Sequence, residues 1–261
     1  MYAVLDAKVA LQQIVWEEGK IIPIAEGPYR YRLVVHCSVH GRRIAMFTNG
    51  EHPYFSYIEL VSDDGQWSSG GTSVVPILPD GRVIMVVEQR PAQSRFPDRP
   101  MIAEVNGQPF NLSQFGPFSS LEFPGGAIDP GEGLRAGFLR ELQEETGVEE
   151  QLGLYYNRLH PIYHFGGDIA VRVFTGVVYL SGFSYDKQVK TDGGLTVVAL
   201  THDDVENNIH NGVIHSGQAA LLQWSFYKEV KMLRYDKGYK DKLIKSGYLG
   251  VEHIKIAKPP S

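Results

Sequence analysis

Between Gly126 and Val148 the chain reads GAIDPGEGLRAGFLRELQEETGV, with Glu132, Glu141, Glu144 and Glu145 placed around Arg140. Asp129-Pro130, Gly131 and Gly133 make the part around Glu132 a turn-rich loop. From Leu134 to Thr146 the residue types favour helix, and Gly147 stands where a left-handed C-terminal cap belongs. Leu134, Phe138 and Leu142 recur every four residues as an apolar stripe. Glu141, Glu144 and Glu145, three and four apart, share one face that borders and partly overlaps that stripe. The spacing therefore predicts carboxylates at the rim of a core. Such like charges repel by roughly a few tenths of a kcal/mol per exposed pair, and by more when half buried. They also crowd the negative end of the helix dipole. The arrangement calls for a cation. Arg140 can offset one charge, and Glu144 lies one turn from it. A divalent metal can offset the others. Oxygen ligands without His or Cys point to Mg²⁺, with Mn²⁺ as a substitute.

A bare E-x-x-E-E is most often a solvated acidic helix face. Here it is joined by Gly126, Glu132, Arg140 and Gly147 at fixed spacing, with apolar Leu142 and Val148. At average residue usage that agreement arises by chance on the order of 10⁻⁹ per start position.

The segment resembles the Nudix box and matches it at every specified position. Flanking similarity extends over roughly residues 70 to 220: EQR at Glu88 to Arg90, LEFPGG before the box and NGVIHSGQAALLQW after it. These flanks resemble ADP-ribose and nucleotide-sugar pyrophosphatases of that family. The resemblance implies a Nudix fold, a mixed β-sheet sandwiched between helices. It implies Mg²⁺-dependent attack of water on phosphorus in a nucleoside diphosphate joined to another moiety, ADP-ribose or a nucleotide sugar. By the same resemblance Glu141 and Glu145 are metal ligands, with Glu144 a further one and the Gly125 carbonyl an additional one. Glu132 and Arg140 orient the ligand carboxylates. Glu141 is the first choice for the base, and Asp168 in the loop HFGGD the second. Arg90, or Arg95 in its place, is the candidate phosphate contact. Gly126 gives a close backbone approach to the substrate, and Phe165 can stack a base. Pro91, Phe165 and Asp168 depart from the usual pattern of the ADP-ribose enzymes, so the resemblance leaves the substrate open between these classes. Two further readings are a Nudix-fold sensor that binds a nucleotide metabolite without cleaving it, and an enzyme for other (di)nucleoside polyphosphates. Intact box glutamates speak against the sensor.

The rest of the chain must position these groups. With 261 residues, 43% apolar and 21% charged, it can bury a full core. A net charge of −5 offers no basic face for long nucleic acids. The single cysteine, Cys37, excludes an internal disulfide and a multi-cysteine zinc site. The first residues lack a signal-peptide pattern, and no apolar run reaches membrane-spanning length. A cytoplasmic location is the default expectation.

Residues 1–68 read as a β-rich subdomain, with strand-like runs at Tyr31 to Ser38, Arg42 to Thr48 and Phe55 to Val61 and a hairpin around His40-Gly41. Residues 69–261 read as the box-bearing domain. Asp80-Gly81 marks a hairpin between β-branched runs. Gln93 to Ser120, rich in proline, is expected to be an irregular excursion with a functional or dimer-contacting role. Ile169 to Leu180 and Leu195 to Leu200 read as strands, and Asp203 to Asn211 and Gln218 to Leu233 as helices. Adjacent hairpins argue against a purely parallel sheet, so the fold class is mixed α/β (α+β). By analogy the subdomain and the excursion suggest a homodimer.

Overall fold

The computed structural model describes residues 15–23, 31–39, 42–48, 57–62, 70–89, 101–116, 119–129, 131–148, 151–158, 162–164, 171–181, 195–214, 217–233 and 235–253. The chain divides into two units.

One unit comprises Met1–Gly70, Ile128–Gly131 and Tyr163–Arg172. Within it β1 (Val15–Pro23), β2 (Tyr31–Val39), β3 (Arg42–Thr48) and β4 (Tyr57–Ser62) form an antiparallel sheet in chain order. The pairing of β2 and β3 closes at Val39–Arg42, on either side of His40-Gly41.

The second unit is built on a mixed sheet. Its strands are β5 (Gly71–Ile77), β6 (Val83–Gln89), β9 (Ser119–Glu122), β10 (Gly125–Ala127), β11 (Gln151–Asn157), β13 (Val171–Leu180, in this unit from Val173), β14 (Thr196–Leu200) and β15 (Leu249–His253). Strand β12 (Ile162–His164) falls at the division, with Tyr163 and His164 in the first unit. The order is β14-β6-β5-β13-β11-β15, with β9 beside β6 and β10 beside β5. Strand β13 runs parallel to β5, and β11 runs antiparallel to both β13 and β15. Alternation along the strands sends side chains to two separate cores. Val83, Met85, Val87 and Val177 enter one; Ile84, Val74, Leu154 and Val178 enter the other. Helix α1 (Leu134–Thr146) covers the second core with Phe138 and Leu142, both fully buried. Helices α2 (His202–His210) and α3 (Gly217–Met232) cover the first with Val205, Ala220, Trp224 and Tyr227. Helix α4 (Lys237–Lys245) then leads to β15. The expected mixed sheet between helices is thus observed. Every residue of β5 is buried, as befits a strand covered on both faces.

Strands β5 and β6 leave the Asp80-Gly81 turn as a hairpin but share only the register pair Ile77–Val83 among the described residues. Pro76, which has no N–H to donate, sits where their ladder has parted. Into that gap runs Ser119–Ala127: β9 pairs with β6, and β10 pairs with the start of β5. The parted hairpin thus holds the stretch that leads into α1.

Gln93 to Ser120 is not irregular over its described part. Strands β7 (Ile102–Val105) and β8 (Gln108–Asn111) form a hairpin, followed by a 3₁₀ turn at Leu112–Phe115. Asn106 and Gly107 both have left-handed φ, 53° and 70°, as a tight two-residue hairpin turn demands. Asp204 and Asn208 of α2, each 1% exposed, hold this hairpin by its backbone. The amides of Asn106 and Gly107 donate to Asp204 at 2.8 and 2.9 Å. Asn208 accepts from the Glu104 amide and donates to the Glu104 carbonyl, both at 2.8 Å. No helix among the described residues is long and apolar enough to cross a membrane.

Candidate active site

Helix α1 forms over the expected residues. Gly133 precedes it with no side-chain cap, and Gly147 ends it at φ 70°, donating its amide to the Gln143 carbonyl. Its buried face carries Gly137, Phe138, Glu141, Leu142 and Thr146. The three carboxylates are graded in burial rather than alike: Glu141 is 8% exposed, Glu145 is half-buried, and the Glu144 side chain is 58% exposed. A glutamate can sit so deep because its charge is met at once by a neighbouring cation.

That cation is Arg140, and each of its five N–H groups has an acceptor. Nε and Nη2 grip the two oxygens of Glu132 at 3.0 and 2.8 Å, a bidentate pair. Nη1 donates to Glu141 at 2.8 Å and to Glu144 at 3.1 Å. Nη2 also donates to the Ala127 carbonyl at 2.7 Å, tying α1 to the end of β10. The hydrogen bonds that Glu132 foremost, and then Glu141, accept from the guanidinium raise its proton affinity above its ordinary value, against the opposing effect of burial. Arg140 is a permanent cation shared by three carboxylates, so by itself it offsets one of their charges.

The fourth carboxylate reaches the same strand from one turn further on. The amide of Gly125 donates to Glu145 Oε2 at 2.9 Å. The two glycines of β10 are there for steric reasons. A Cβ on Gly125 would strike the backbone of Thr72 and Ser73 on β5. A Cβ on Gly126 would fall on the carboxylate of Glu141. Strand β10 is therefore pressed between β5 and α1, with Glu141 over Gly126 and Glu145 on Gly125.

Of the residues expected at the site, the structure brings together Glu132, Arg140, Glu141, Glu144, Glu145, Gly125 and Gly126. Arg90, Arg95, Phe165 and Asp168 lie outside the described residues. The Ala127 carbonyl is a participant that sequence reading missed, since a backbone acceptor leaves no mark on residue type. Among the described residues, no three His, Cys, Asp or Glu side chains are gathered as around a bound cation; Arg140 stands between three of the carboxylates. The donor chemistry nevertheless suits a hard divalent ion. Glu141 and Glu145 are oxygen donors, are partly withdrawn from water, and meet on one short strand.

Comparison with known proteins bears on the same segment. The crystal structure of an ADP compounds hydrolase is similar, with a TM-score of 0.44 and 15% sequence identity, covering 82% of this chain and 97% of that one. No curated protein matches the chain. The model of the NUDIX domain matches residues 71–224, from the first residue of β5 into α3. That match takes in more than half of the chain and contains the whole carboxylate helix with the strands that seat it, and the protein belongs to the Nudix family of hydrolases.

Proposed function

We propose that the protein hydrolyses the diphosphate of a nucleoside diphosphate joined to another moiety, ADP-ribose or a nucleotide sugar, by attack of water on phosphorus. The observation that carries this reading is the pair of carboxylates, Glu141 and Glu145, seated on Gly126 and Gly125 by α1. In this reading Glu141 and Glu145 hold a divalent cation, Mg²⁺ with Mn²⁺ as a substitute, together with the Gly125 carbonyl and, more weakly, the exposed Glu144. When bound, such an ion neutralises diphosphate oxygens and lowers the pKa of the attacking water.

The chain's own residues then have separate tasks. Arg140, held by Glu132, donates to Glu141 and orients its carboxylate. Gly126, with no side chain, leaves room for the Glu141 carboxylate to lie against the strand. Glu141, the most buried of the three, is the first choice to receive the proton of the water, and Asp168 the second. Arg90 or Arg95 would contact phosphate, and Phe165 would stack the base.

The test is turnover of ADP-ribose, nucleotide sugars, dinucleoside polyphosphates and nucleoside triphosphates with Mg²⁺. The proposal expects a nucleoside monophosphate from ADP-ribose or a nucleotide sugar. Product from the polyphosphates alone would reassign the substrate. Saturable binding without turnover anywhere in the panel would replace the enzyme by a sensor.

A further inference from the structure

A second site lies at the other end of β5. A cavity of about 490 Å³ opens at the carboxyl ends of β5 and β13, the parallel pair. Its lining includes Tyr155, Tyr179, His202, Tyr227, Pro79 and Lys231. The volume is within the usual range for small-molecule sites. The cavity is not part of the carboxylate site. Strand β10 lies against Gly71–Ser73, whereas the cavity begins at Ile77, about 13 Å further along the strand. Tyr155 and Tyr179 also point to the core beneath α2 and α3, on the opposite side of the sheet from α1.

The lining residues contact one another and Lys240. Tyr155 and Tyr179 meet edge to face at 5.8 Å. The Tyr227 hydroxyl bonds His202 Nε2 at 2.9 Å, and their rings meet edge to face at 5.3 Å. Lys240 Nζ lies 5.0 Å over the Tyr155 ring and 3.5 Å from its hydroxyl. Among the described residues the lining itself contains no carboxylate; burial and then the charge of Lys231 lower the proton affinity of His202, and Asp203 and Glu206 oppose them more weakly. Aromatic side chains favour a planar ring, and the Lys231 ammonium, the one charged group of the lining among the described residues, favours a negative charge beside it.

We infer that this cavity binds a planar aromatic anion, a ring carrying a phosphate or a carboxylate, at a site separate from the carboxylate helix. The inference is independent of which diphosphate the enzyme cleaves. Trp224 reports on it, because its ring lies 4.7 Å from Tyr227 and 5.5 Å from His202. The experiment uses the full chain with Trp16→Phe and Trp67→Phe, so that Trp224 is the sole tryptophan. Its emission is followed during titration with AMP, with adenosine and with inorganic phosphate, in the absence of divalent cations. AMP should give a saturable change at a concentration at least tenfold below that needed for adenosine or for phosphate. Lys231→Glu should weaken AMP at least tenfold, and Glu145→Gln should leave it unchanged. No saturable change with AMP, an AMP response indifferent to Lys231→Glu, or one abolished by Glu145→Gln would each overturn the inference.

Discussion

At the scale of single residues the site turns on Arg140. Its guanidinium is the one side chain that can serve Glu132 with two parallel bonds while donating to Glu141, Glu144 and Ala127. An ammonium in its place can keep the charge but offers at most three donors from a single point. Arg140→Lys is therefore expected to leave the fold intact and lower apparent metal affinity or activity about 10- to 100-fold. Activity titrated against Mg²⁺ would show it, and an unchanged metal requirement would refute the positioning role. The contacts of Arg140 were half legible in the sequence. Glu144 is one turn away and Glu132 lies in the preceding loop, but the Ala127 carbonyl and the depth of Glu141 depend on how β10 is seated. A three- and four-residue spacing fixes a shared face and does not say which of the carboxylates will be the buried one.

At the scale of elements the carboxylate helix was the easiest part to read, because its stripe, its C-terminal glycine and its length agree with one another. The β7–β8 hairpin was missed for an instructive reason. The four prolines of Gln93 to Ser120 suggested an irregular connection, yet Asn106-Gly107 is itself a strong hairpin signal and governs the local backbone. Pro109 is accommodated because β8 belongs to a two-stranded ribbon. Helix α4 and strand β15 were also unread. In α4 no described residue is buried, so it lacks the stripe by which helices are recognised. What holds the hairpin is Asp204, which caps α2 through Thr201 and accepts from Asn106 and Gly107. Burial opposes its charge, but the bonds from Thr201, Gly107 and Asn106 prevail and keep its pKa below the ordinary 3.8. Asp204→Asn replaces one of these acceptor oxygens by a donor. It should cost about 2 kcal/mol and lower Tm by about 4–8 °C. Calorimetry of the variant checks this, and an unchanged Tm would mean that the hairpin stands without its clamp.

At the scale of the whole molecule the two cores on either side of the sheet explain why one chain can hold a charged site and an aromatic cavity apart. The mixed sheet class was legible from adjacent hairpins, and its helical cover from the resemblance to the Nudix family. The parted β5–β6 hairpin was not, because it depends on β9 and β10, which are paired over long sequence distances. His202 supplies a global test of the helical side. Burial, and after it the charge of Lys231, holds its pKa below the ordinary 6.5. The unfolded chain then takes up a proton more readily than the folded one, so stability is full above about 6.5 and falls as the pH drops below it. Tm measured from pH 8 downward should begin to fall near that value in the wild type. His202→Gln should be flatter over the same interval, and parallel curves would contradict the assignment.

The central claim is that water attacks phosphorus at a site made by Glu141 and Glu145. It is tested most directly by turnover of ADP-ribose and a nucleotide sugar in ¹⁸O-labelled water with Mg²⁺, followed by mass analysis of both products. The account predicts one labelled oxygen on a phosphate product, none on the sugar carbon, and a rate about 100-fold lower for Glu145→Gln. Label on the sugar carbon, or an undiminished rate in Glu145→Gln, would contradict it.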